Sequence, residues 1–374
     1  MGFDSAAPGD AGSMGEPTDL IVSVTEDRMA GPPTMSSLAE LPAGTPGLSL
    51  REALAIANNR TGPDRITFDP SVFRAGATGA AGAPIAIDTA LEVGDTGTTI
   101  EAAGVPVTLM GKAGYAGTLL RVTGAAAVID GLTLRGGGTA IEAAAVAGLV
   151  IHGFTIDDTS SDAIRIDGCA QVTITDGRIE RAAGDPLLLR TTTDASVERN
   201  FISLLTKSGS VHGINLESVS RSHLIDNIID PGEAFLINLT DSSDNEVIGN
   251  TLDRGDTGLT IFGNSQRNLV CRNVVISPLA DSVYIDSPAS DNTIVNNTFY
   301  LAPDITDAGM NTSAANNLVS SEATDFVDPA SYDFHLTAGV PAIDAATDLG
   351  LDMLPGQPAR FLGQAPDLGA VESF

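Results

Sequence analysis

The stretch NEVIGNTLDRG, residues 245–255, sets a Gly-Asn pair inside an apolar run. Glycine weakens a helix, and a plain strand gains nothing from it. The setting recurs: SHLIDN (222–227) lies 23 residues upstream and NLVCRN (268–273) 23 residues downstream. Alignment on the asparagine gives the column Leu132, Phe154, Gly177, Asn200, Asn227, Asn250, Asn273, Asn297, with spacings of 22, 23, 23, 27, 23, 23 and 24. A fixed period of this size marks a solenoid. Leucine-rich repeats share the period, but their leucine-and-asparagine consensus is missing.

Within each repeat the apolar residues alternate. The pairs Ile164/Ile166, Leu187/Leu189, Ile214/Leu216, Leu259/Ile261 and Val283/Ile285 flank Arg165, Leu188, Asn215, Thr260 and Tyr284. One face is apolar and the other mostly polar, which is the pattern of a half-buried strand. Each repeat therefore predicts one coil of a parallel β-helix. The fold class is all-β, with about 23 residues per coil and the next coil stacked about 4.8 Å above. Asn200, Asn227, Asn250, Asn273 and Asn297 then read as scaffold. At a tight turn asparagine tolerates left-handed backbone angles, and stacked copies form an amide ladder along the axis. Cys169 and Cys271 fall about four coils apart, near 19 Å, so free thiols are expected.

The chain has 374 residues, 43% hydrophobic but only 4% aromatic, with no Trp and 40 Gly. Its core must come from small aliphatic side chains, which suit a narrow, layered interior. The net charge is −29, and only Lys112 and Lys207 of the 19 basic residues are lysines. Nucleic acid is disfavoured as a partner, because it needs a basic footprint. An acidic surface favours solubility and can attract divalent cations. The sequence contains no apolar run of about 18 residues, so no membrane insertion is expected. The first residues, MGFDSAAPGDAGSMGEP, lack the basic and apolar regions of a signal peptide.

A β-helix needs capped ends, since open coils recruit other strands. LSLREALAIANN (48–59) offers an apolar face at Leu50, Ala53, Leu54 and Ala57 with Ser49 as N-cap, and predicts a short plugging helix. The run GLSLREALAIANNRTGPDRITFDPSVF (47–73) resembles the N-terminal cap of secreted bacterial right-handed parallel β-helix proteins of the pectate-lyase-like superfamily. VPAIDAATDLG (340–350) and PDLGAVE (366–372) resemble that group's closing segment. The resemblance implies a right-handed coil and a place outside the cell or at its surface. It also allows that the chain is part of a larger secreted protein. The expected organisation is a flexible segment over 1–18, a cap over 19–75, coils over 76–300, and a last coil with a C-terminal cap over 301–374.

Enzymes of that group place their sites on an outward strand face. Here Asp162, Asp185 and His212 stand at the entrance to one strand in three consecutive coils, with Asp281 in the corresponding place further along and Glu233 and Asp256 near it. Carboxylates one coil apart lie about 5 Å from each other, within range of an acid/base pair. Such crowding raises one pKa, and His212 could shuttle a proton. These three are the candidate catalytic residues. Arg165, Arg190, Lys207, Asn215 and Tyr284 are candidate substrate contacts, and Asp256 and Asp281 candidate ligands for Ca²⁺. The equally physical alternative is that each aspartate caps its own turn. Ser160-Ser161-Asp162, Gly184-Asp185-Pro186 and Val211-His212-Gly213 also resemble a thinned polygalacturonase pattern, which lacks here the second paired Asp and the Arg-Ile-Lys motif.

Two function classes follow. The first is a secreted carbohydrate-active domain that binds an acidic polysaccharide or cell-surface glycan and, if an enzyme, acts as a lyase, hydrolase or epimerase. The second is a non-enzymatic surface, adhesion or spacer module.

Overall fold

A computed structural model describes residues 18–74, 83–203, 212–230, 235–320, 325–328, 333–345 and 365. Residues 1–17 of the expected flexible segment, Lys207, Glu233 and the PDLGAVE run lie outside these residues, and Thr18 opens the strand Thr18–Val22. Short parallel strands wind into three stacked sheets of ten, twelve and eleven strands among the described residues. One coil shows the order. Ile164–Asp167 belongs to sheet 1, Thr173–Thr175 to sheet 2 and Arg178–Glu180 to sheet 3, and the chain returns to sheet 1 at Leu187–Arg190. Register is kept coil to coil, with Ile164 opposite Leu187, then Ile214, Ile237, Leu259 and Val283. These residues are buried, so the core is a continuous stack of Ile, Leu and Val down the axis.

The turn between sheets 2 and 3 holds the asparagine column. Each Asn Oδ1 accepts the backbone N–H of the residue one coil earlier in the column, as Asn200 Oδ1 does from Gly177 N and Asn250 Oδ1 from Asn227 N, both at 3.0 Å. Each Nδ2 donates onward to the next Oδ1, as Asn250 does to Asn273 at 3.0 Å, and also to a backbone carbonyl, Leu224 O at 2.8 Å. Asn200, Asn227, Asn250, Asn273 and Asn297 are all buried. The left-handed backbone expected at these residues belongs instead to the residue before each of them: Arg199, Asp226, Gly249, Arg272 and Asn296 have φ between 53° and 66°. The ladder asparagine is selected for its amide, and the corner is made by its predecessor. Gly249, opening the Gly-Asn pair, is one of these corners. The column stops at Gly177 because the Phe154 ring fills the place that a side chain there would take.

A second ladder, missed in the sequence, runs through the turn between sheets 1 and 2. Ser222 N donates to Asn245 Oδ1, Asn245 Nδ2 to Asn268 Oδ1 and Asn268 Nδ2 to Asn292 Oδ1, each at 3.0 Å. Outside it the exposed corners pair opposite charges between coils, Arg221 with Asp194 and Arg267 with Asp244 at 2.7–2.9 Å.

The helix Leu50–Asn58 closes the first coils. Ser49 and Glu52 form a capping box, and Leu50, Ala53, Leu54 and Ala57 are buried. At the other end Phe326–Asp328 pairs antiparallel with Asp333–Leu336, and Phe326 meets the Tyr300 ring edge-on at 5.2 Å. Cys169 and Cys271 are free and buried.

Candidate functional site

The outward face of sheet 1 carries the candidate residues in two columns. Extending the strand register one coil at a time sets Asp162, Asp185, His212, Phe235, Thr257 and Asp281 in the first. The second runs Arg165, Leu188, Asn215, Asn238, Thr260 and Tyr284. The places between His212 and Asp281 are thus held by Phe235 and Thr257, and Asp256 stands one residue off the column.

Asp162, Asp185 and His212 form a continuous chain of contacts. Asp162 Oδ1 accepts the N–H of Asp185 at 3.1 Å. A Cβ on Gly184 would collide with that same oxygen, so a glycine is required where the carboxylate lies against the next coil. Asp185 Oδ1 in turn accepts the N–H of His212 at 2.7 Å and faces the His212 ring nitrogen Nδ1 at 3.2 Å. Its Oδ2 accepts Asn215 Nδ2 at 2.8 Å. The side chains are partly open, 14% exposed for Asp185 and 22% for His212.

Their environments push the two carboxyls in opposite directions. Burial raises Asp162 above the ordinary aspartate value, and the neighbouring charge of Asp185 raises it further against the Asp185 N–H and the positive charges of Arg165 and Arg190. Burial also works against ionisation of Asp185. The His212 ring, the His212 N–H and the Asn215 amide outweigh it and hold that carboxyl below its ordinary value. Environments that push neighbouring carboxyls in opposite directions are the arrangement that separates an acid from a base. The contact with Asp185 is made through Nδ1 of the imidazole, the nearer ring nitrogen.

The remaining candidates divide. Arg165 makes no ion pair among the described residues, whereas Arg190 is bound to Glu217 at 2.7 Å. Asn215 is 3% exposed and bonded to Asp185, Glu217 and Asn238, so it positions Asp185 and has no free amide for a ligand. Asp256 and Asp281, the candidate Ca²⁺ ligands, stand beside and in the first column respectively. Asp281 Oδ1 accepts a hydrogen bond from Thr306 Oγ1 at 2.6 Å.

Sequence reasoning missed the aromatic row beside the acids. His212, Phe235, Phe262 and Tyr284 follow one another with ring centroids 5.7, 6.1 and 5.8 Å apart. Phe235 and Phe262 come from opposite ends of adjoining strands, so their contact bridges the face where Asn238 and Thr260 are buried. The signal was available, as a ring at a strand end in each of three neighbouring repeats. The loops between make their spacing irregular.

The molecule is a right-handed parallel β-helix. Residues 139–299 match the family described as "Right handed beta helix region". Among solved structures the chain is similar to the pectate lyase Pel9A, with 12% identity, a TM-score of 0.51, and 97% of this chain and 98% of that one covered. The periplasmic alginate epimerase AlgG gives 13% identity and a TM-score of 0.46 over 69% of each chain. PfbA, a surface adhesin of Streptococcus pneumoniae, gives 10% and 0.47 over 73% of this chain and 89% of that one. No curated protein sequence matches the chain. The likeness to Pel9A shows the fold alone. No helix among the described residues is long and apolar enough to cross a membrane.

Proposed function

We propose that this is an extracellular or cell-surface carbohydrate-active β-helix that binds a uronate-containing polysaccharide along sheet 1 and acts on it by proton transfer at the sugar ring. The observation that supports this most is the Asp162–Asp185–His212 chain, with its two carboxyls driven apart in pKa. In this reading Arg165, unpaired by any carboxylate of the protein among the described residues, neutralises the sugar carboxylate and so acidifies the adjacent ring proton. His212 Nε2 takes that proton, Asp185 orients the ring and stabilises its charged form, and Asp162 donates to the departing oxygen. The products would be an unsaturated sugar at one new end and a free hydroxyl at the other. Return of the proton to the opposite face would give epimerisation instead. The aromatic row supplies flat apolar surface for pyranose rings, which stack by their C–H faces.

A second reading, a glycan-binding module without turnover, is favoured by one feature. Both carboxylates accept backbone N–H groups of the next coil, the pattern of a turn cap. The deciding experiment incubates the chain with pectate, polygalacturonate, alginate and glycosaminoglycans, following ultraviolet absorbance of unsaturated product, reducing ends and C5 configuration. Turnover of one uronate polymer, lowered about 10²–10⁴-fold by His212→Ala with the melting temperature unchanged, is the expected result. Glycan binding with no product supports the second reading, and neither binding nor product overturns both. Calcium belongs to this reading only as a bridge to the polymer's carboxylates, which a chelator arm of the same assay tests.

A further inference from the structure

A separate polar cluster lies where the N-terminal cap meets the first coils, away from the sheet 1 face. The sheet 2 strand Asp64–Phe68 pairs with Thr99–Glu101, Arg65 opposite Thr99. One residue earlier, Asp64 therefore stands opposite Thr98. Burial alternates along the strand, so Asp64 turns inward with Ile66 and Phe68, and Thr98 turns inward with Ile100. Asp64 is 3% exposed and Thr98 0%. Asp64 Oδ2, Asp95 Oδ2 and Thr98 Oγ1 are out of contact with solvent, and none has a hydrogen-bond partner. Asp95 sits in the turn leading to Thr98, held there by its N–H on Asn58 Oδ1 at 3.2 Å from the end of the capping helix. It is near enough to Asp64 for its charge to oppose ionisation there, second to burial and to the counteracting Arg60. Arg60 Nη1 stands 3.7 Å from Asp64 Oδ1, the other oxygen of that carboxylate.

An orphaned buried hydroxyl beside two carboxylates is unusual. Thr98 could donate to either acid, and a direct bond would satisfy both groups at little cost. Three buried oxygens on two neighbouring strands and the turn beside them bond to nothing, and a bound cation would satisfy all three. Ca²⁺ takes six to eight oxygens at about 2.3–2.6 Å and accepts carboxylate and neutral oxygens together. The two carboxylates match its charge, and calcium tolerates irregular geometry where magnesium does not.

We propose that Asp64, Asp95 and Thr98 form a binding site for Ca²⁺ that ties the capping segment to the first coils of the solenoid. The buried, unpartnered Thr98 hydroxyl is what distinguishes this corner from the many exposed acids of the surface. Backbone carbonyls and water would complete the shell. With two carboxylates and a nearby guanidinium the affinity belongs with extracellular modules, about 10⁻⁴–10⁻³ M.

The test uses the full chain stripped with EDTA, titrated with CaCl₂ by calorimetry and followed by thermal unfolding. The account expects one site and a melting temperature that rises with free calcium, because the ion binds the folded state. Asp95→Asn and, independently, Thr98→Val, which keeps the shape of the side chain, should each weaken binding at least about tenfold. Asp162→Asn, on the distant face, should leave it unchanged. The inference is overturned if neither heat nor melting temperature responds to calcium. It is also overturned if Asp95→Asn and Thr98→Val both bind calcium as the parent does, since the ion is then held elsewhere. Stabilisation by acid alone, without calcium dependence, would identify a proton shared between Asp64 and Asp95 and would likewise remove the ion.

Discussion

Two stacked columns of polar residues run along this solenoid, and they differ in kind. In the turn between sheets 2 and 3 one residue type repeats, and every amide from Asn200 to Asn297 is buried and bonded to the coils on either side. At the entrance to sheet 1 the residue type changes at nearly every coil, through Asp162, Asp185, His212, Phe235, Thr257 and Asp281. A repeat that keeps its chemistry satisfies itself. A column that breaks its repetition leaves groups with nothing identical to bond to, such as the outer nitrogen of His212. The difference sets the scaffold apart from the candidate site on a fold where both are built from the same coil spacing.

The largest expected effect breaks the ladder. Asn250 receives an N–H and an amide from Asn227 and gives hydrogen bonds to Leu224 O and Asn273. Asn250→Ala should cost about 1–3 kcal/mol for the buried partners left unpaired, read as a lower denaturant midpoint. An unchanged midpoint would mean that water replaces the amide and that the ladder is decoration.

A smaller effect sharpens the contrast within the site column. Asp185 has its carboxyl lowered on folding, so its contribution is present above the unfolded value and is lost as pH falls through the folded one. Asp162 has its carboxyl raised, so folding favours its neutral form, and that contribution is present in acid and lost as pH rises. At neutral pH Asp185→Asn should therefore destabilise, with the deficit shrinking on acidification. Asp162→Asn should leave stability equal or higher at neutral pH, with no gain in acid. Melting curves of the two variants from acid to neutral pH check both signs, and matching behaviour of the pair would remove the distinction between them.

Most of the fold was legible in the sequence because a solenoid writes its geometry as a period. The spacing of the asparagines located the coils, the Ile and Leu pairs located the inward face, and Ser49 with Glu52 marked the capping helix. The left-handed corners were misplaced by one residue. Asn and Asp are both tolerated there, and in these turns the neighbour does the bending while the asparagine bonds. The second ladder was hidden because Ser222 precedes its asparagines and the apolar Ala195 and Val172 precede Ser222. For the site, stacking of Asp162, Asp185 and His212 could be counted from the period. Which oxygen faces which nitrogen depends on side-chain rotation, which no spacing encodes. The Phe235–Phe262 contact reaches across a strand, so its residues share neither a column nor a period. The burial of Asn215 follows from the Asp185 and Glu217 carboxylates that engage its amide, and those contacts too are absent from the repeat.

The account rests on Asp162 and Asp185 being an acid and a base that the fold has driven apart. Their side-chain carboxyls can be followed one by one through an acid titration by carbon-detected nuclear magnetic resonance, with Asp162→Asn and Asp185→Asn to assign the signals. The account predicts that Asp162 titrates above the ordinary aspartate range and Asp185 below it, and that the Asp162 value falls when Asp185→Asn removes the neighbouring charge. Two carboxyls titrating together at the ordinary value, or in the reverse order, would contradict it.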